Sequence, residues 1–205
     1  MIRSVALTAA LGLFVAVQAS AQPSAAGQTM KPKGPPPVAD KGELLPGDPP
    51  ARPELVRQPY SDADIKFMQG MIPHHAQALV MCGMAKSNNA SAQLQLLCER
   101  MTISQRDEIA MMRTWLRDRQ FVPRPDATHM TMDHSGMKHD MLMPGMLNEE
   151  EMAALKKARG KDWDRLFLVG MIKHHGGAIA MVEDLFKAHG AAQDDDIYLY
   201  ASDVY

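Results

Sequence analysis

The chain has 205 residues, a formal net charge of −2 and 5% aromatic residues. This length suits one domain of ordinary size with tails, and the near-zero charge gives no electrostatic basis for nucleic-acid binding. Methionine is unusually frequent, with 18 residues. Because Met is both a flexible core residue and a soft metal ligand, its placement along the chain has to decide between the two.

The N-terminus has the pattern of a secretory signal peptide over residues 1–21. Arg3 supplies the positive charge, residues 5–17 form the apolar run, and residues 19–21 read Ala-Ser-Ala, a small-residue cleavage site. The apolar run is too short for a transmembrane helix, so we expect no membrane span in the mature chain. The sequence therefore predicts an exported protein, with a bacterial periplasm as the simplest location.

Residues 22–59 contain ten of the fourteen prolines and little apolar periodicity. Such a composition predicts a disordered or polyproline-like tether. The folded domain is then expected to occupy residues 60–205.

An internal repeat organises that domain. Residues 64–81 and 164–181 are identical at nine of eighteen aligned positions, without a gap. The first copy of the shared set is Asp64, Phe67, Gly70, Met71, Ile72, His74, His75, Ala78 and Met81. Helical spacing places most of these residues on one inward stripe in each copy.

Each stripe carries two His and two Met, which are ligands for transition metals. The alternative is a bundle core whose histidines are satisfied by hydrogen bonds. The predicted ligands in the two copies are Met71, His74, His75, Met81, Met171, His174, His175 and Met181.

The apolar spacing and the turn residues predict five helices. The two copies of the repeat lie in helices over 62–86 and 162–188. The other helices are predicted over 90–119, over a short segment from Asn148 to Gly160, and from about 196. Gln105 and Glu108 lie on the apolar stripe of the second helix, where they are costly unless paired, and the His residues of the first helix are natural partners. Glu108 is therefore a candidate ligand or a hydrogen-bond acceptor for a buried His.

The repeat aligns Cys98 with Ala201, so the counterparts of Gln105 and Glu108 would fall at positions 208 and 211. The fourth helix of the bundle therefore appears cut short.

Residues 121–146 are predicted to form a loop, bounded by prolines and rich in Met and His. Thioether and imidazole ligands suit Cu(I), and Asp133 and Asp140 add oxygen donors for Cu(II). The alternative is a Met-rich linker. The candidate ligands are His129, Met130, Met132, His134, Met137, His139, Met141, Met143 and Met146.

Cys82 and Cys98 flank the first helical turn, both on inward stripes. They could form a disulfide, which an exported protein tolerates, or remain two buried thiols or a Cu(I) thiolate pair.

The His-His blocks, the segment Gln105–Ile109 and Met-Pro-Gly-Met at 143–146 resemble the DUF305 family of unknown function, which includes the CopM-like copper-binding proteins. The resemblance covers about 60–205. It implies an all-α, ferritin-like four-helix bundle of two helix-hairpin repeats, exported and linked to copper tolerance. It carries ligand roles to Met71, His74, His75, Met171, His174, His175 and the Met-rich loop.

The leading hypothesis is a periplasmic protein that sequesters copper or hands it on, with Cu(I) favoured and Cu(II) possible. Its expected partners are copper ions and periplasmic copper exporters or oxidases. Alternatives are a ferritin-like metal oxidase and a structural or partner-binding bundle. The oxidase is disfavoured because the stripes lack its Glu-x-x-His motif and carry a single Glu. No nucleophile stands beside a base, so we do not expect an enzyme.

Overall fold

The computed structural model describes residue 52 and residues 57–123, 130–134 and 137–205. The predicted signal peptide (1–21), almost all of the predicted tether (22–59) and His129 lie outside the described residues. Two described residues of the tether segment contact the helical domain. Arg52 donates hydrogen bonds to Asp118, and the Gln58 amide donates to Asp195 at 2.8 Å.

The domain is all-α in its packed part and consists of two helical hairpins joined by a short helix, as the sequence predicts. The first hairpin is α1 (Asp62–Gly83) and α2 (Ala92–Asp118). The connection contains α3 (Glu149–Lys157), and the second hairpin is α4 (Gly160–Lys187) and α5 (Asp195–Val204). Each boundary lies within a few residues of its predicted position. The ferritin-like arrangement stays a prediction.

Two capping boxes start helices where the sequence places them. The Ser61 hydroxyl accepts from the Asp64 backbone N–H, and the Asp64 carboxylate accepts from the Ser61 N–H. Asn148 and Glu151 make the same reciprocal pair at the start of α3. Each pair satisfies backbone N–H groups that a helix start leaves without partners. These caps fix where α1 and α3 begin.

Helices α1 and α4 cross with reciprocal packing that follows from the repeat. A Cβ atom on Gly70 would lie 3.2 Å from the Met181 methyl carbon, and one on Gly170 would lie 3.3 Å from that of Met81. Each glycine therefore accommodates a methionine from the other copy. This packing gives Met81 and Met181 a structural role, whether or not they also bind metal.

The two repeats differ on the face that α2 covers. Met68 and Ile72 are fully buried in a cluster with Ile109 and other α2 residues. Their counterparts on α4, Leu168 and Ile172, are 44% and 73% exposed. The described part of α5 has 10 residues, whereas α2 has 27. The described domain is thus symmetric at the crossing and asymmetric at its flank.

The prediction of an unstructured loop over 121–146 is wrong in part. β1 (Met130–His134) and β2 (Met137–Met141) pair as an antiparallel hairpin. Its apolar and polar residues alternate with a period of two, a strand signal that the Met-rich composition obscured. The end of this segment also belongs to the core, since Met146 is 3% exposed.

Within the described residues, no helix has the length and apolar character needed to cross a bilayer.

Cys82 and Cys98 are buried free thiols. They lie close enough for one thiol to hydrogen-bond to the other, and this contact, together with burial, raises the pKa of Cys82. The structure therefore corresponds to the two-thiol alternative. We expect thiol titration of the unreduced, unfolded protein to detect two reactive groups. Detection of none would mean that the exported protein carries a disulfide.

Among the described glycines, Gly177 is the one at which an added Cβ would meet its nearest neighbour at the shortest distance. A Cβ on this residue would lie 1.9 Å from the Pro144 carbonyl oxygen, which belongs to backbone and cannot move aside alone. Gly176 is the matched control, because its Cβ would meet nothing within 4 Å. We expect Gly177→Ala to destabilise the domain by about 1–3 kcal/mol or more through overpacking. Gly176→Ala should stabilise it by up to ~1 kcal/mol through helix propensity.

Urea unfolding of both variants checks this expectation. Equal stabilities for the two variants would show that the Pro144 turn does not pack against α4 as described.

Candidate metal site

Four histidines from the two repeats line one cavity. The cavity has a volume of about 390 Å³ and lies between α1, α4, the middle of α2 and the C-terminal half of α5. Its lining residues are His74, His75, Gln105, Glu108, His174, His175, Ala178, Ile179, Tyr200, Asp203 and Val204. The structure thus brings together the four predicted His ligands and Glu108.

The rings of His74 and His174 are in contact at the centre of the crossing. Their centroids are 3.7 Å apart and their planes differ by 37°. His74 Nε2 lies 3.1 Å from the Pro144 carbonyl oxygen, and His174 Nε2 lies 2.9 Å from the backbone oxygen of His74. Since a carbonyl oxygen can only accept, both Nε2 atoms carry the proton.

When the imidazole is neutral, the other ring nitrogen, Nδ1, is unprotonated and carries a lone pair. Within the described residues, the Nδ1 atoms of His74, His75 and His174 are buried and have no hydrogen-bond partner. Burial, followed by repulsion from His174 and His75, lowers the pKa of His74 to about 2. Burial likewise lowers the pKa of His174 to about 4. Both side chains are therefore neutral near pH 7, the form in which imidazole binds metal.

His75 is held by a carboxylate and a phenol. Its Nε2 lies 2.6 Å from Glu108 Oε2 and 3.0 Å from the Tyr200 hydroxyl. Burial alone would raise the pKa of Glu108, but hydrogen bonds from His75 and Ser104 outweigh burial and lower it. The ionised Glu108 therefore accepts a hydrogen bond from the Nε2–H group of His75. This bond fixes the proton on Nε2 and leaves the lone pair on Nδ1. This contact is the one that the sequence predicted for Glu108.

His175 differs from the other three histidines because its side chain is exposed. Asp203 and Tyr200 reach the same cavity from α5. Sequence reasoning missed both residues. The repeat aligns Tyr200 with Leu97, so it carried no sign of a polar role, and only the position of α5 against the cavity reveals it.

The predicted methionine ligands of the helices lie elsewhere. Met71 is fully buried in the apolar cluster shared with α2, and Met81 and Met171 are buried in the cluster near α3. Met181 is half-buried at the crossing. None of them lines the His cavity, and their role as ligands stays a prediction.

The Met-rich segment divides into two parts. Met143 and Met146 pack on the bundle, where the Met143 sulfur would lie 3.0 Å from a Cβ on Gly70. The hairpin carries the other predicted ligands for which the backbone is described, namely Met130, Met132, His134, Met137, His139 and Met141.

The imidazole groups that line the cavity suit a transition-metal ion, but their present rotamers do not form a coordination site. Among the described residues, no three His, Cys, Asp or Glu side chains form a group that could hold a metal ion as they stand. Binding of an ion therefore needs a side-chain rotation, which the exposed His175 can make at small packing cost.

The fold and the site define the class of protein: an all-α domain of two helical hairpins with paired histidines where α1 and α4 cross. Over residues 64–204 the sequence matches the family described as "Domain of unknown function (DUF305)". The match covers more than half of the chain, so the protein belongs to the DUF305 family. No curated protein matches it.

Solved structures agree with this assignment. A DUF305 fragment from Deinococcus radiodurans is 26% identical, with a TM-score of 0.57 over 72% of this chain and 88% of that chain. A candidate secreted DUF305 protein from Streptomyces coelicolor is 23% identical, with a TM-score of 0.57 over 69% and 82%. CopM in its Cu(II)-bound form is 27% identical, with a TM-score of 0.50 over 69% and 84%.

The buried histidines make a prediction for the metal-free protein. His74 and His174 have depressed pKa values in the folded state and ordinary values, near 6.5, when unfolded. The unfolded state therefore binds more protons, and stability falls as pH drops below about 6.5. For His74 and His174 together we expect the proton uptake on unfolding to rise from about one at pH 6.5 to about two near pH 5, and to be about halved in His174→Asn.

Urea unfolding across this pH range measures that slope. A flat profile for the unsubstituted protein would mean that these imidazoles are protonated in the folded state.

Proposed function

We propose that this protein binds copper through imidazole and thioether ligands and acts as an exported copper-sequestering or copper-delivering protein. The observation that carries the proposal is the convergence of four histidines, two from each repeat, on one cavity. Three of them keep a buried Nδ1 lone pair that no described residue uses.

Unpartnered buried lone pairs are costly in a purely structural core. A buried polar atom without a partner loses about 1–3 kcal/mol relative to water. Three of the residues that line the cavity each carry such an atom, and a metal ion could satisfy these atoms once the side chains rotate around it. This argument distinguishes the cavity from a core in which histidines only hydrogen-bond.

The choice of copper is supported by ligand chemistry and by kinship. Imidazole suits Cu(II), and thioether suits Cu(I). CopM, a structural relative of this chain, occurs in Cu(II)-bound and Cu(I)-bound forms. The N-terminal signal pattern supports export to the periplasm, where the ion would be captured, and a role in copper tolerance follows from such capture.

Glu108 acts in this proposal as a positioning residue for His75. Because Glu108 accepts a hydrogen bond from Nε2–H of His75, Nδ1 is left as the ligand atom and the basicity of the ring increases. Tyr200, whose pKa is raised well above its usual value by burial and by Glu108, stays neutral and helps to fix the ring. We propose a binding function without catalysis, since the carboxylates at the cavity are too few for a ferritin-type oxidase.

Copper titration against a competing chelator tests the proposal. We expect His75→Ala with His175→Ala to weaken copper binding at the cavity at least tenfold. Glu108→Gln should weaken it by about tenfold, the range seen for outer-shell hydrogen-bond partners. His189→Ala is the matched control, because this exposed His lies beyond the end of α4 and should leave binding unchanged.

Thermal unfolding of the metal-free variants separates binding from structure. Unchanged copper affinity in the double variant, together with a large loss of metal-free stability, would assign these histidines to the core. Iron retained from the cell in place of copper would favour the oxidase.

A further inference from the structure

The amide of Gln105 lines the His cavity and has a buried oxygen atom without a partner. Among the described residues, Gln105 Oε1 is the only buried side-chain oxygen that makes no hydrogen bond. Gln77 shows the opposite case, since its Nε2 donates to the Leu147 carbonyl oxygen at 2.9 Å and its Oε1 accepts from the Leu147 N–H at 2.7 Å. A buried amide oxygen costs stability unless a partner satisfies it. The packing of the domain therefore gives no reason for an amide at position 105.

The neighbouring acid on the same stripe has its partners. Glu108 lies one turn further along α2 and is hydrogen-bonded to His75 and Ser104. A glutamate at position 105 would place a second carboxylate beside Glu108, and their repulsion would raise the pKa of the pair. An amide instead offers an oxygen atom at this part of the cavity and leaves Glu108 ionised, so that Glu108 can hold His75.

The unsatisfied side-chain atoms of the cavity are all lone-pair atoms. Among the described residues that line it, they are Gln105 Oε1 and the Nδ1 atoms of His74, His75 and His174. An anion or a hydrogen-bond acceptor would be repelled by these atoms, whereas a cation accepts electron pairs from oxygen and nitrogen alike. The residues therefore favour a cation that takes ligands of both types.

We propose that Gln105 Oε1 is an oxygen ligand of the ion that the cavity binds, and that it makes the cavity selective for Cu(II) over Cu(I). The proposal rests on the proposed copper function and adds a ligand and an oxidation state to it. Mixed nitrogen and oxygen ligands suit Cu(II), whereas Cu(I) prefers soft sulfur ligands. Because the amide is neutral, its effect on selectivity arises from the ligand atom and not from charge.

Two substitutions of similar volume separate ligand chemistry from packing. Gln105→Leu removes the oxygen, and Gln105→Met replaces it by a thioether sulfur, while Leu and Met fill similar space. The copper bound at the cavity is defined as the part that is lost in His75→Ala with His175→Ala. The Cu(II) and Cu(I) affinities of this part are measured separately, each against a competing chelator.

We expect Gln105→Leu to lower the Cu(II) affinity of the cavity by about tenfold or more and to leave its Cu(I) affinity within about twofold. Gln105→Met should also lower the Cu(II) affinity, and it should raise the Cu(I) affinity because thioether suits Cu(I). A tenfold fall in the ratio of the two affinities raises the reduction potential of the bound copper by about 59 mV. Both variants should therefore shift this potential upward, with the larger shift in Gln105→Met.

The metal-free protein gives a second readout that does not depend on copper. Gln105→Leu removes a buried atom without a partner, so we expect it to raise the urea midpoint of unfolding. A lower midpoint would mean that the oxygen has a structural role and would overturn the proposal. Unchanged Cu(II) affinity in Gln105→Leu, or equal losses of Cu(II) and Cu(I) affinity, would overturn it too. A wild-type protein that binds no copper at the cavity would refute the proposed function itself.

Discussion

The contact between His74 and His174 is the constraint on which the rest of the site depends. It brings two imidazoles into the centre of the α1–α4 crossing, with ring centroids 3.7 Å apart. Burial away from water and mutual repulsion disfavour the charged form of both imidazoles, so both rings are neutral. Neutrality in turn makes each ring a donor at Nε2 and leaves a lone pair at Nδ1. The chemistry of the cavity is therefore a consequence of this contact.

The close approach of the helices depends on glycine. Gly70 and Gly170 each make room for a methionine methyl from the other repeat, and Gly177 admits the Pro144 carbonyl. Larger side chains at these positions would separate α1 from α4 and the two histidine pairs with them. The duplicated residues thus serve two purposes. Gly and Met pack between α1 and α4, and the His residues line the cavity beside them.

The duplication leaves the two pairs unequal in their surroundings. His75 is 3% exposed and bound by Glu108 and Tyr200, while His175 is exposed. In the first repeat the acid comes from α2, and the shorter α5 supplies Asp203 to the cavity. One of these two equivalent histidines is therefore buried and held by two partners, whereas the other is exposed.

Much of the fold was predictable from the sequence because its signals are local or repeated. Helical spacing predicts the inward stripe of α1, all of which is buried. Ser61 and Asn148 cap the starts of α1 and α3 in the structure, and both are common N-cap residue types. The pairing of Glu108 with His75 followed from the cost of a buried carboxylate on an apolar stripe.

Other features needed three-dimensional placement. Tyr200 and Asp203 belong to the cavity only because α5 packs beside it. The Pro144 carbonyl is an acceptor for His74 only because the chain crosses α4 at Gly177. The Met-rich and His-rich composition of residues 121–146 predicts a loop, whereas the alternation of residues within it predicts the strands that the structure has. Met146 lies in this segment and is buried because the chain turns inward after Pro144.

The hydrogen bond from His74 to the Pro144 carbonyl has a thermodynamic consequence. β2 ends at Met141, three residues before the proline whose oxygen anchors His74. A change in the hairpin that moves this carbonyl changes the energy of the His74 ring, and a rotation of that ring acts back on the turn. Linkage requires the effect to be equal in both directions, so the free energy by which a shift of the Pro144 turn alters the His74 ring equals the free energy by which a rotation of the ring alters the turn. One peptide group thus couples the conformation of the connecting segment to that of the cavity.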